Sequence, residues 1–362
     1  MQRFSEIAAR KRAGERLTPE EALYLFKEGD LFALGRLAAE VNAGLNGEVV
    51  FYNINRHINP TNICVNQCRF CAYSKVKGED GAYEQGIAEI LDEVEGAEEQ
   101  GIREFHIVGG LHPDWPFAFY LELLESLKKA HPEIVIKAFT AVEIDYFAKI
   151  SGLSIPEVFT RLKAAGLQAM PGGGAEIFAP EVRNRICPEK ISGERWLEIM
   201  ELAHAAGIPT NATMLYGHLE SYTDRIDHME KLRRLQDKAG GFQVFIPLAF
   251  HAENTDIRKK GVTSGIDDLK TLAIARLYLD NFRHLKAYWV MLGEKIAQLA
   301  LLFGVNDFDG TVVKERITHA AGAKSAVGHG EDYIRHLIAR AGRRPVERDT
   351  FYHSVAGGNS DV

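Results

Sequence analysis

The sequence predicts an α/β chain whose core is a (β/α)8 barrel of the TIM type, with extra helices before it and an extension after it. Three observations lead there. Eight short apolar runs recur: VVFYNINRHI (49–58), REFHIVGG (103–110), IVIKAFT (134–140), LQAMPGG (167–173), IPTNATMLYG (208–217), FQVFIPLAF (242–250), KAYWVML (286–292) and DFDGTVV (307–313). Longer helical stretches separate them, at 84–100, 117–130, 155–165, 193–206, 223–238, 267–282 and 293–303. Polar, glycine-rich segments follow the strands, where a barrel collects its chemistry: NPTNIC, GGLHP, PGGGAE, YGHLE and HAENT. An open doubly wound sheet shares this alternation and is the second choice.

The first 45 or so residues read as helices. Thr18 caps a helix with Pro19 at its first position and Glu21 three residues after the cap. Asp30 caps the next, LFALGRLAAEVNAGLN (31–46). Within the barrel, YLELLESLKKA (120–130) and WLEIMELAHAA (196–206) repeat apolar residues at helical spacing. Gly101, Gly166, Gly207 and Gly304 stand where helices end before the next strand. The expected divisions are a helical extension over 1–47, the barrel over 48–325, and a C-terminal helix and tail over 326–362, with AGGNSDV (356–362) flexible.

With 46% hydrophobic residues the chain can bury a large core. Its net charge of -7 argues against a nucleic-acid binder. No stretch is long and apolar enough for a membrane span, and the N-terminus lacks an apolar leader core, so the expected setting is cytoplasmic.

Three of the four cysteines fall in NICVNQCRFCAYS (62–74), spaced C-x3-C-x2-C as Cys64, Cys68 and Cys71. A structural zinc wants four ligands, and the fourth cysteine, Cys187, is far along the chain. A disulfide would strand one thiol. Three thiolates suit an iron–sulfur cubane that keeps one iron open. A zinc-binding, non-catalytic barrel remains the alternative of another class. Cys187 reads as a lone, partly buried thiol.

Three consecutive glycines in PGGGAE are costly in chain entropy unless a ligand lies against the backbone, so Gly173 is a binding candidate. Glu176 beside it can accept hydrogen bonds from a ribose or an ammonium. His57, His112, His218, His251 and His319 stand near strand ends or loops, with His218 and His251 past the central strands.

Cys64, Cys68 and Cys71, with Phe70 before the last, resemble the cluster loop of the radical S-adenosylmethionine (SAM) superfamily. The resemblance implies a 4Fe–4S cluster on the three cysteines, with SAM chelating the open iron. It implies that Gly109 and Gly110 receive SAM's amino group, through backbone carbonyls because Leu111 stands where Glu is frequent. In TMLYGHLE (213–220), Leu215, Gly217 and Glu220 match the adenine-facing G-x-I-x-G-x-x-E pattern, and Thr213 departs from it. Tyr73 is placed to touch the adenine through its backbone.

Over nearly the whole chain, HINPTNICVNQCRFCAYS, GGLHPD, IKAFTAVEI, PGGGAEIF, TNATMLYGH, IPLAFHAENT, AYWVMLG and GTVVKERITHAAGA resemble the aminofutalosine synthases of menaquinone biosynthesis. The cyclic dehypoxanthine futalosine synthases and the deazaflavin-cofactor synthases share the cluster loop and the PGGGAE-like segment. The last two segments favour the aminofutalosine synthases. The implied reaction adds the 5'-deoxyadenosyl radical to the vinyl carbon of 3-[(1-carboxyvinyl)oxy]benzoate. Aryl-ether rearrangement and loss of carboxylate as carbon dioxide or bicarbonate then give 6-amino-6-deoxyfutalosine. A flavodoxin or ferredoxin would supply the electron. Two substrate carboxylates need cations or amide dipoles, and Arg56, Lys137, His218, His251 and Arg316 are the candidates.

Overall fold

In the computed structural model, which describes residues 2–257, 263–313, 315–326 and 328–355, eight parallel strand positions close a ring. The first strand is bent at Ile54 into β1 (Val49–Asn53) and β2 (Asn55–Ile58). β2 pairs with β3 (Glu104–Ile107), and β3 with β4 (Val135–Ala138). The fourth strand is reduced to two bridges, Lys137 with Ala169 and Met170 with Thr210. Pro171 and the glycines after it end it, because proline brings no N–H to a ladder. β5 (Thr210–Tyr216), β6 (Phe242–Ala249) and β7 (His284–Leu285) follow. A bridge from Lys286 to Asp307 leads to β8 (Asp307–Gly310), which pairs with β1 and closes the barrel. The open doubly wound sheet is thereby excluded.

Helices cover the ring. Phe117–Ala130 and Ile155–Ala165 have the expected bounds, and Gly193–Ala205, Tyr222–Ala239, Gly265–Tyr278 and Glu294–Ala300 lie close to them. The stretch 84–100 is helical only at Ile87–Glu93 and then runs on in turns. Three helices were not expected, Ala141–Ser151, Pro180–Ile186 and the short Ile317–Ala320. The first starts at a Thr140–Glu143 capping box directly after β4. The expected strand 286–292 is corrected: Trp289–Leu292 is a short helix, and its Trp289 Nε1 donates to Gly310 O at 3.0 Å. A short apolar run fits a strand and a buried helix equally well.

The N-terminal caps form as expected. Glu21 N donates to Thr18 Oγ1 at 3.2 Å, and Thr18 N to Glu21 Oε2 at 2.9 Å. The helix Leu31–Asn46 packs on Gly265–Tyr278, and Pro19–Glu28 on Tyr222–Ala239, where Phe26 stacks on Tyr222 at 4.6 Å.

The C-terminal extension is more than a helix and tail. After the helix Glu331–Arg340, β9 (Arg344–Glu347) pairs parallel to β1, on the side away from β8. The chain then crosses the N-terminal mouth of the barrel. Arg348, 1% exposed, donates from Nε to Asp307 Oδ2 at 2.9 Å. Thr350 Oγ1 donates to Glu104 Oε2 at 2.8 Å, and Tyr352 stacks on His284 at 3.8 Å. The segment 356–362 lies outside the described residues.

Among the described residues no helix is long and apolar enough to cross a membrane.

Candidate active site

A cavity of about 350 Å³ opens at the C-terminal ends of the strands. One wall is the loop after β2, with Cys64, Cys68, Cys71 and Tyr73. The loop is pinned by Cys64 N to Lys75 O at 3.0 Å, Val65 N to Leu111 O at 3.0 Å, and Arg69 N to Ile186 O at 2.9 Å. All four cysteines are free thiols. Burial pushes the Cys68 thiol up to about 12, although Lys190 pulls the other way, and burial raises Cys64 as well. Metal binding to these thiols therefore releases protons. Among the described residues no three Cys, His, Asp or Glu side chains converge as a single ion requires. Three soft sulfurs on one cavity wall suit an iron–sulfur cluster.

Gly109, Gly110, Gly173, Glu176 and Leu215 also line the cavity. Part of the glycine content has a packing cause. A Cβ on Gly110 would collide with the Ile63 carbonyl, so this glycine lets the cysteine loop lie on the end of β3. A Cβ on Gly172 would lie 2.7 Å from Asn211 O. Gly110→Ala is expected to push the loop off its seat and lower iron and sulfide per chain, read by chemical assay after anaerobic reconstitution.

Glu176 holds a positive φ of 47°, strain that a non-glycine residue keeps where its side chain must point a fixed way. Its Oε1 accepts from Lys190 Nζ at 2.6 Å. Lys190 also stands 4.9 Å from the Phe70 ring centre and acts on Cys68 and Cys187. The sequence reading missed Lys190, which is far from the triplet in the chain and carries no motif. Cys187 is fully buried rather than partly so.

Glu143 was missed too, although its capping box with Thr140 was a usable signal. It lines the cavity and accepts from Thr140 N at 2.6 Å and Gly109 N at 3.3 Å. Burial outweighs these bonds and pushes its carboxyl up to about 7, from an ordinary 4.5. The folded state therefore holds a proton that the unfolded state has lost between those values. Stability from this group falls as pH rises through that window. Glu143→Gln keeps the cap and should flatten that part of the slope, read by denaturation at acidic and neutral pH.

Of the substrate candidates, Lys137 and His251 line the cavity. Lys137 Nζ is already 2.7 Å from Glu104 Oε2, and His251 Nε2 donates to Met291 O at 2.8 Å. The structure places the others off the wall, which corrects the expectation for them. Strand alternation turns Arg56 outward, where Nη2 donates to the Glu93 carbonyl, while Asn55 and His57 face in. His218 is held by its own turn, with Nε2 donating to Leu215 O at 3.0 Å and Nδ1 accepting from Leu219 N at 2.7 Å. Arg316 lies 5.3 Å from the Tyr83 ring centre. Gly217 sits in the corner that Glu220 ties down, its N 2.6 Å from Glu220 Oε1.

Residues 58–232 match the radical SAM superfamily, and residues 239–357 match the CofH/MqnC C-terminal region. An aminodeoxyfutalosine synthase of Thermus thermophilus is 47% identical over 357 residues, covering 98% of this chain and 96% of that protein. The chain belongs to the radical SAM superfamily. Another aminodeoxyfutalosine synthase, from Streptomyces coelicolor, is 44% identical, covering 96% of this chain and 92% of that protein. A 5-amino-6-(D-ribitylamino)uracil–L-tyrosine 4-hydroxyphenyl transferase of Methanopyrus kandleri is 41% identical, covering 90% of each chain. Among solved structures, the hydrogenase maturase HydG of Carboxydothermus hydrogenoformans superposes with a TM-score of 0.74 at 18% identity, covering 97% of this chain and 81% of that one. Methylornithine synthase superposes at 0.70 and 18% identity, covering 94% and 97%. Those likenesses carry the fold. As a radical SAM enzyme the chain works with a 4Fe–4S cluster and SAM.

Proposed function

We propose that this radical SAM enzyme is an aminofutalosine synthase that joins the 5'-deoxyadenosyl group of SAM to 3-[(1-carboxyvinyl)oxy]benzoate. Rearrangement and loss of carboxylate would give 6-amino-6-deoxyfutalosine and L-methionine. The observation that carries this is the 47% identity, end to end, with a protein of that name. Cys64, Cys68 and Cys71 would hold the cluster. When bound, it presents an open iron to SAM and supplies the electron that splits SAM into methionine and the radical, drawn from a reductant such as flavodoxin or ferredoxin.

The chain's own residues do the rest. Gly109, Gly110, Gly173, Glu176 and Leu215 form the bed for SAM, with Tyr73 beside the adenine. Lys190 balances Glu176 and holds its carboxylate in place. The segment across the barrel mouth, with Thr350 on Glu104, shuts out water from below, which a primary alkyl radical requires. The vinyl carbon has to lie against C5' before SAM is split, so positioning supplies much of the rate. No general base is assigned.

A second reading is favoured by the 41% identity with the ribitylaminouracil–tyrosine transferase. Parallel anaerobic assays separate the two. Reduced enzyme with SAM should convert the enolpyruvyl benzoate and leave tyrosine plus 5-amino-6-(D-ribitylamino)uracil unchanged. The reverse pattern would overturn the proposal.

A further inference from the structure

One row of side chains lies between the glycine shelf and the barrel floor. His57 on β2 is in register with His106 on β3, and His106 with Lys137 on β4. All three line the cavity. The two imidazoles stack, with ring centres 4.7 Å apart and planes 12° from parallel. His57 is only 8% exposed. Among the described residues its ring stacks on His106, and the charged groups that act on it do so through space rather than by a hydrogen bond. A buried imidazole carries one donor and one acceptor when neutral, and such groups are normally satisfied. Here the partner has to come from the cavity.

The full cations nearby are engaged. Lys137 is paired with Glu104 one row below, and Lys286 with Asp309. Asp309 keeps a positive φ of 72° and lines the cavity, so the Lys286 pair is built in at a cost in backbone strain. Each lysine charge is thus matched by a carboxylate, and breaking either pair for a ligand would leave a buried charge uncompensated. The imidazoles are different: His106 turns Nδ1 toward Glu104 Oε1 at 3.8 Å and keeps its other ring nitrogen, and His57 has both. Two parallel rings side by side can each donate an N–H to one of the two oxygens of a single carboxylate. Glu104, Lys286 and Lys137 all act on His57 through space, so the two lysines offset the carboxylate there.

We propose that the His57–His106 pair is the seat of the substrate's ring carboxylate, an inference that rests on the enolpyruvyl benzoate reading above. The vinyl carbon must meet C5' of SAM at the cluster end of the cavity. The ring carboxylate is the anionic group farthest from that carbon and points down the barrel. His106 lies on β3, two residues before Val108 and three before the Gly109–Gly110 shelf that follows the strand. The second carboxylate, on the carbon next to the reacting one, stays above this row.

The test compares KM and kcat for the diacid and for 2-phenoxyacrylate, the analogue without the ring carboxylate. The enzymes are wild type, His57→Phe and His57→Gln, each normalised to its iron and sulfide content. Phenylalanine keeps the ring against His106 and removes the donor, whereas glutamine keeps a donor. His57→Phe should raise KM for the diacid by roughly 10- to 100-fold, as losing a hydrogen bond to a charged group does, and KM for the analogue by less than about threefold. His57→Gln should recover most of the loss. His106→Phe serves as the second variant should His57→Phe fail to load its cluster. An unchanged KM for the diacid, or equal losses for both ligands, overturns the seat. Wild-type enzyme that converts neither ligand overturns the substrate reading, and the seat with it.

Discussion

Cys68→Ala should lose SAM cleavage by more than about 100-fold, a larger loss than that of an outer partner of a metal ligand. Cys68 is the most buried of the three clustered thiols and stands between the other two in the loop. A second iron left without thiolate destroys the difference between three held irons and one open one. The measurement is 5'-deoxyadenosine formed per iron after anaerobic reconstitution. Cys187→Ala is the control. That residue is fully buried and lies within reach of Cys68 electrostatically, but it faces a separate small recess beside Phe178 and Arg183. It should keep cleavage. Full SAM cleavage by Cys68→Ala would remove the cluster assignment.

Arg348→Met should destabilise the protein by about 3–5 kcal/mol, the cost of leaving one partner of a buried ion pair alone. Asp307 is 0% exposed and Arg348 1%. Burial by itself would raise the Asp307 carboxyl, and Arg348 together with Lys286 and Tyr352 outweighs it and holds the group below its ordinary value. The carboxylate is therefore charged at neutral pH and loses its main countercharge once Arg348 is gone. For a chain of this length the unfolding temperature should fall by roughly 5 °C. Asp307→Asn on top of Arg348→Met should return part of the loss, because the stranded charge is removed. If Arg348→Met unfolds with the wild type, the segment after β9 is not a structural closure of the barrel.

The parts of the site that sequence reveals are the contiguous ones. Cys64, Cys68 and Cys71 share one loop, and their spacing points to a cluster without any knowledge of the fold. The barrel itself follows from alternation, since each strand and helix carries its own period. The glycine run was visible, but its cause was mixed: Gly110 and Gly172 answer to backbone neighbours, which only the folded chain supplies. Convergent residues were harder. Lys190, Glu143 and His106 come from different elements and meet through barrel closure. Arg56 and His57 show how fine the margin is, because one step along a strand turns a side chain from the outer face to the inner. The closing strand β9 reads RPVE, four residues with no alternation and charged ends, and nothing local marks it as a partner of β1.

The central claim is that the adenosyl group ends up bonded to the substrate carbon. Anaerobic turnover with SAM labelled in its adenosyl carbons, read by mass, tests it most directly. The account predicts that the label moves into a nucleoside whose mass is that of 6-amino-6-deoxyfutalosine, with methionine and labelled product formed in equal amounts. Label recovered wholly as 5'-deoxyadenosine, from enzyme that consumes the enolpyruvyl benzoate, would mean that the radical abstracts hydrogen instead, and would contradict the account.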